Sequence, residues 1–194
     1  QTATFDFITA AAAFLDVATV GKLGLIEPID QYLTDEVRDD ILPSIWEEMQ
    51  MDGELYAFPM VTDVMGLIYR PSMLEEAGFD GPPETWDEVL AYCEAIDQTF
   101  NAGRTNDRQV YPIGFDWYWR PWGGYIPILQ SYTDQPFVDG RTDTWSDAAR
   151  KTLEIMKELH GYMPASAAGS LEASKVFQAG GMAIRCRADR KTWH

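Results

Sequence analysis

Histidine and cysteine are nearly missing from this chain, with two of each in 194 residues. No Cys or His stands at metal-ligand spacing from another, which argues against a zinc site; no metal or cofactor is implied. Two cysteines as distant as Cys93 and Cys186 make no disulfide framework. Cys93 falls on the apolar stripe of a predicted helix and reads as a small core residue, with a single Cys93–Cys186 bridge as the alternative. Cations are scarce as well: 15 Lys and Arg face 31 Asp and Glu, for a formal net charge of −16. With no basic stripe to displace counterions from phosphates, nucleic acid is excluded as a partner and anionic membranes are disfavoured. A neutral or cationic small ligand stays open. The longest apolar run, Ala10 to Leu15, is too short to span a bilayer, and no basic segment precedes an apolar one. If the protein is exported, its signal peptide is not in this sequence. Enzyme signatures are lacking too: there is no G-x-S-x-G elbow, no phosphate-binding glycine loop and no H-E-x-x-H. Carboxylates abound, but nothing fixes a pair at the separation glycoside hydrolysis needs.

What is present is ample for a core, 46% apolar and 24% charged residues. The acids fall on predicted helix faces (Asp35, Glu36, Asp39, Asp40; Glu47, Glu48; Glu75, Glu76; Asp87, Glu88), the pattern of solvated surfaces. Phe5 to Ile8 reads as a strand and Ala10 to Leu23 as a helix ended by Gly24. Pro43 opens a helix carrying Trp46 and Met49. A turn at Asp52-Gly53 leads into two apolar runs, Leu55 to Val61 and Val64 to Tyr69, which read as paired strands interrupted by Thr62-Asp63. Pro71 opens a short helix that Gly78 closes. Thr85 and Glu88 have capping-box spacing ahead of an apolar stripe of Trp86, Val89, Leu90, Cys93 and Ile96. Tyr111 to Ile113 reads as a strand and Pro121 to Tyr132 as helical. Ser146 caps a helix with Ala149, Leu153, Met156 and Leu159 inward and Gly161 as its stop. Leu171 to Ala179 is a further helix and Met182 to Ile184 a short strand. Strands alternating with helices predict an α/β fold. The closing cluster Arg185, Arg187, Arg190 and Lys191 is a ligand-facing loop, a frayed end or sequence foreign to the fold, and the last two are favoured.

Four motifs in order carry a resemblance. Ile26-Glu27-Pro28-Ile29-Asp30 precedes Gly53 to Tyr69; Pro83-Glu84-Thr85-Trp86-Asp87-Glu88 and Val176-Phe177-Gln178-Ala179-Gly180 with Met182-Ala183 follow. Together they resemble the sugar-binding extracellular solute-binding proteins of ABC importers, the family 1 group that includes maltose-binding protein. The resemblance implies a periplasmic-binding-protein-like two-lobe fold of type II, incomplete at both ends. Residues 1–61 would be a partial first lobe, 62–66 a hinge crossing and 67–194 a second lobe lacking its C-terminal elements. Family members are about twice as long. Where they usually continue with a "gly-x-trp", this sequence has Arg185-Cys186-Arg187-Ala188. Surface left uncovered by missing elements would favour self-association.

A sugar offers hydroxyl edges and apolar ring faces, so its receptor needs acids and aromatic rings converging on a cleft. By resemblance, Asp63 is the acid at the lobe junction, with Thr62 beside it. The competing role for Asp63 is a turn residue bonding its own backbone. The segment Phe115 to Trp122 supplies the rings: Trp117, Tyr118, Trp119 and Trp122 are candidates for sugar faces, others being core. Arg120 anchors a hydroxyl or pairs with Asp116. Thr9 ends the first strand, where open α/β sheets place ligand contacts; its competing role is N-cap of the next helix. The expected function is capture of a mono- or oligosaccharide between lobes and delivery to a membrane permease, in the periplasm or outside the cell, with lipoprotein anchoring an option. The rivals are a receptor of the same fold for a polyamine or glycerol phosphate, a carbohydrate-active enzyme, and a truncated product that binds nothing.

Overall fold

The computed structural model describes residues 17–103, 109–115, 121–138, 141–165 and 172–192. They divide into two compact units, one running to Thr62 and resuming at Lys191, the other spanning Asp63–Arg190.

In the first unit, α1 (Val17–Lys22), α2 (Asp35–Asp39) and α3 (Pro43–Glu48) are short helices. Pro43 sits in the first turn of α3, where its missing N–H costs nothing. The predicted Asp52-Gly53 turn joins β1 (Gln50–Met51) to β2 (Glu54–Leu55) as an antiparallel hairpin. Both turn residues have positive φ, 54° and 86°, the handedness a two-residue hairpin loop asks for and Asp-Gly supplies at low cost. Ile41, Trp46 and Leu55 form the core, and the Trp46 indole N–H donates to the Arg38 carbonyl at 3.0 Å. Asp30 stitches this unit together. One carboxylate oxygen accepts the Leu55 N–H at 2.8 Å, the other the Arg38 guanidinium at 3.0 Å.

Those partners, Leu55 first and Arg38 second, hold the Asp30 carboxyl below its ordinary value. A lowered folded-state pKa adds stability above the unfolded value, which is lost as pH falls through the folded one. Urea melts taken from about pH 7 down to about pH 3 are expected to show a smaller acid-induced loss for Asp30→Asn than for the parent. Parallel curves would show that this carboxylate contributes nothing.

Strand β3 (Val61–Tyr69) begins with the last two residues of the first unit and in the second leads through α4 (Pro71–Glu76) to α5 (Trp86–Asn101) and β4 (Tyr111–Phe115). A π-helical turn, Pro121–Tyr125, runs into α6 (Ile126–Leu129). The hairpin β5 (Phe137–Val138) and β6 (Arg141–Thr142) precedes α7 (Asp147–His160), α8 (Glu172–Gln178) and β7 (Met182–Thr192). The sheet order is β3–β7–β4, with β4 and β7 parallel and Tyr111 opposite Met182, Phe115 opposite Cys186. Met182 to Cys186 are buried without alternation, as a central strand covered on both faces requires. The capping box forms as its spacing predicts. Thr85 Oγ1 accepts the Glu88 N–H, and the Glu88 carboxylate accepts the Thr85 N–H, both at 3.2 Å. Behind it Val89, Cys93 and Ile96 enter the core with Ile155 and Leu159 of α7. The helix-face acids named above all stand exposed.

Several expectations need correction. Thr62-Asp63 does not interrupt two strands: β3 runs straight through it from Val61. Residues 56–60 have no regular structure, since Pro59 brings no N–H to a ladder, and Phe58 and Met60 stand exposed. The helix expected over Pro121 to Tyr132 is shorter: the π-helical Pro121–Tyr125 and α-helical Ile126–Leu129 are helix, and residues 130–132 are turn. Leu153 is not inward but 52% exposed. The buried face of α7 centres on Thr152, Ile155, Met156 and Leu159, and Leu153 lies roughly 110° from that centre at 100° per residue. Thr152 tolerates burial because its hydroxyl donates to the Ala148 carbonyl at 2.8 Å. The basic cluster is not a frayed end, for β7 continues through it to Thr192. Arg185 is only 3% exposed and donates to the Ser174 hydroxyl of α8. Cys93 and Cys186 share the same core but are not joined by a disulfide, so the alternative bridge does not form. Burial pushes the Cys93 thiol upward, well out of the thiolate range.

Candidate ligand site

Strand β4 ends at Phe115, opposite Cys186 of the parallel strand β7, which continues to Thr192. Open α/β sheets bind ligands beyond the carboxyl ends of such strands. In the sequence the aromatic segment follows β4 directly. Trp117, Tyr118, Trp119 and Arg120 lie outside the described residues, as does Thr9. Thr62 and Asp63 are consecutive residues of β3, at the division between the two units. Trp122 belongs to the π-helical turn. Backbone widening of this kind is frequent at functional sites.

The described aromatic residues around this edge have structural anchors. Phe115 is fully buried and stacks on Trp86, with centroids 6.1 Å apart and planes 24° from parallel. The first ring of the segment is therefore core. Tyr125, at the end of the π turn, donates its hydroxyl to the Asp143 carbonyl at 2.6 Å. Burial first, and the Asp143 charge second, raise its pKa. Tyr125 anchors the end of the turn and Phe115 the end of β4, on either side of the segment that the sequence nominates for ligand.

Beside this edge lies an open groove of about 360 Å³, lined among others by Leu67, Glu84, Trp86, Asp87, Ser131 and Tyr132. The Trp86 indole N–H donates to Ser131 Oγ at 2.9 Å, and the Lys151 ammonium reaches Asp87 at 3.0 Å. Burial raises the Tyr132 pKa; Asp87 adds to the shift and Lys151 opposes it. The hydrogen bond to Asp87 raises that of Lys151. Sequence reasoning missed this groove: it placed Trp86 only on a helix stripe, and no local pattern announces Ser131, Tyr132 or Lys151 as its neighbours. Among the described residues, no group of three His, Cys, Asp or Glu side chains could hold a metal ion, and no helix is long and apolar enough to cross a membrane.

Residues 2–184 match the family of bacterial extracellular solute-binding proteins. The chain is similar to the maltotriose-binding protein of Pyrococcus abyssi, 26% identical over 126 residues that make up 63% of this chain and 26% of the relative. It also resembles a probable ABC transporter-binding protein of Deinococcus radiodurans, 27% identical over 73% of this chain and 35% of the relative. Among solved structures it is similar to an ABC transporter solute-binding protein of Thermotoga lettingae bound with α-D-tagatose. There the TM-score is 0.69 at 23% identity, covering 89% of this chain and 45% of that one. The chain spans less than half the length of each of these proteins. The architecture is thus the α/β fold of type II periplasmic-binding-protein-like receptors.

Proposed function

Because the chain belongs to the bacterial extracellular solute-binding protein family, we propose that it serves as a carbohydrate receptor of an ABC importer, acting in the periplasm or outside the cell. The family match over residues 2–184 carries this reading. Relatives named for maltotriose and for ABC transport support it. Family and fold are those of binding proteins, not of enzymes. In the reading, the two units act as lobes, the first ending near residue 61, 62–66 crossing the hinge, and the second beginning at 67. Asp63 and Thr62 accept sugar hydroxyls at the crossing, with Thr9 from the first lobe. Rings among Trp117, Tyr118, Trp119 and Trp122 take the sugar faces, and Arg120 donates to a hydroxyl. Closure desolvates the ligand, so each hydroxyl bond, about 0.5–1.5 kcal/mol net, is gained only in the closed state. The closed receptor then docks on its membrane permease. Self-association finds no support in the comparisons and has no part in this reading.

Calorimetric titration and thermal melts with maltotriose and D-tagatose test the proposal. Binding is expected to stabilise the chain by about 2.7 kcal/mol at a hundredfold excess over Kd, without product formation, and Asp63→Ala is expected to abolish the binding event at the hinge crossing. Turnover of a glycoside would replace the receptor with an enzyme. Heat only with spermidine or glycerol phosphate would replace the sugar, and silence with every solute would reject the reading.

A further inference from the structure

The groove beside Trp86 has a chemistry of its own. At about 360 Å³ it lies at the lower end of the volumes that hold small ligands. Leu67, Val89 and Trp86 give it an apolar lining, while Asp87, Ser131 and Tyr132 add a carboxylate and two hydroxyls. The rim carries both signs, because Asp87 already pairs with the Lys151 ammonium at 3.0 Å. A pair so compensated attracts an ion of neither sign, and the one lining carboxylate left over, Glu84, is exposed and screened. An apolar lining accepts the C–H face of a ring. The carboxylate and hydroxyl groups of the lining exchange hydrogen bonds with the ring's own hydroxyls. All these residues belong to the second unit, so the groove needs nothing from the first. We propose that this groove is a second ligand site, for a small neutral saccharide, whose occupancy does not depend on Asp63.

The Trp86 indole N–H reports on the groove directly, since its bond to Ser131 lies in the lining. In the ¹⁵N-labelled 194-residue chain, its resonance is assigned by its loss in Trp86→Phe and followed during titration with maltotriose. A saturating shift is expected. Asp87→Asn and Tyr132→Phe, both changes at the accessible rim, are each expected to weaken it about three- to tenfold while leaving the thermal melt in place. Asp63→Ala is expected to leave the Trp86 response intact, so failure of the first site and failure of the groove give different results. A Trp86 resonance that maltotriose does not move would overturn the proposal. So would affinities unchanged in both rim variants, or a response to spermidine or inorganic phosphate in place of the sugar.

Discussion

Asn101→Ala is expected to destabilise the second unit by about 3–5 kcal/mol, because one buried amide closes the connection from α5 to β4. Asn101 is 3% exposed at the last turn of α5. Its amide nitrogen donates to the Asp97 carboxylate at 2.8 Å and to the Val110 carbonyl at 2.7 Å. Its amide oxygen accepts the backbone N–H groups of Gln109 at 2.8 Å and Val110 at 3.2 Å. Alanine leaves two backbone donors and a carbonyl without their partner in or beside the core, each costing about 1–3 kcal/mol where water cannot reach it. Val110 is buried, so its groups bear the largest share. Asn101→Asp is expected to lose nearly as much: it keeps the acceptor, removes both donated bonds and sets a carboxylate against Asp97. Urea denaturation followed by far-UV circular dichroism checks both variants. A loss below about 1 kcal/mol for alanine would mean that water replaces the amide without difficulty.

That amide marks the limit of what sequence patterns reveal. Caps and turns were legible because their chemistry is local: Thr85 with Glu88, Pro43 at a helix start, and Asp52-Gly53 with the φ values a hairpin needs. The apolar stripe of α5 was legible for the same reason. Leu153 shows where periodicity stops deciding. An apolar residue at the edge of a helix face is inward only if the neighbouring element extends that far, and the chain order does not say so. Arg185 is a harder case, since an arginine in a basic cluster gives no sign of burial against α8 until Ser174 is seen beside it. The groove was equally hidden, because Trp86 meets Ser131 across 45 positions and Asp87 meets Lys151 across 64. For the ligand site, resemblance supplied the candidates Asp63 and Trp117 to Trp122 by their order along the chain. Composition and spacing alone narrow the ligand only to something neutral or cationic.

Gly114→Val is expected to cost about 3 kcal/mol or more, the upper range for overpacking a filled core. A Cβ at Gly114 would stand 2.3 Å from the Met182 Cε, 2.7 Å from its Sδ and 3.1 Å from the Ala173 Cβ. Met182 and Ala173 are fully buried, so β7 and α8 leave the methionine little room to retreat. Alanine adds only the Cβ, and a methionine end can bend, so Gly114→Ala is expected to lose about 1–2 kcal/mol. The clash predicts a particular non-additivity. Met182→Ala alone opens a cavity and costs about 2–5 kcal/mol, yet in the double variant the new methyl occupies part of that space. The pair is therefore expected to lose less than the sum of the two single changes, by about 1 kcal/mol. Additive losses would show that Gly114 is required for another reason. The consequence reaches the proposed site as well. Gly114 is the penultimate residue of β4, opposite Arg185, and Phe115 is the last strand residue before the aromatic segment. Forcing β4 away from β7 and α8 shifts the anchor from which Trp117, Tyr118 and Trp119 depart. Gly114→Ala is expected to weaken maltotriose binding several-fold even where the fold survives, which calorimetry on the folded variant measures.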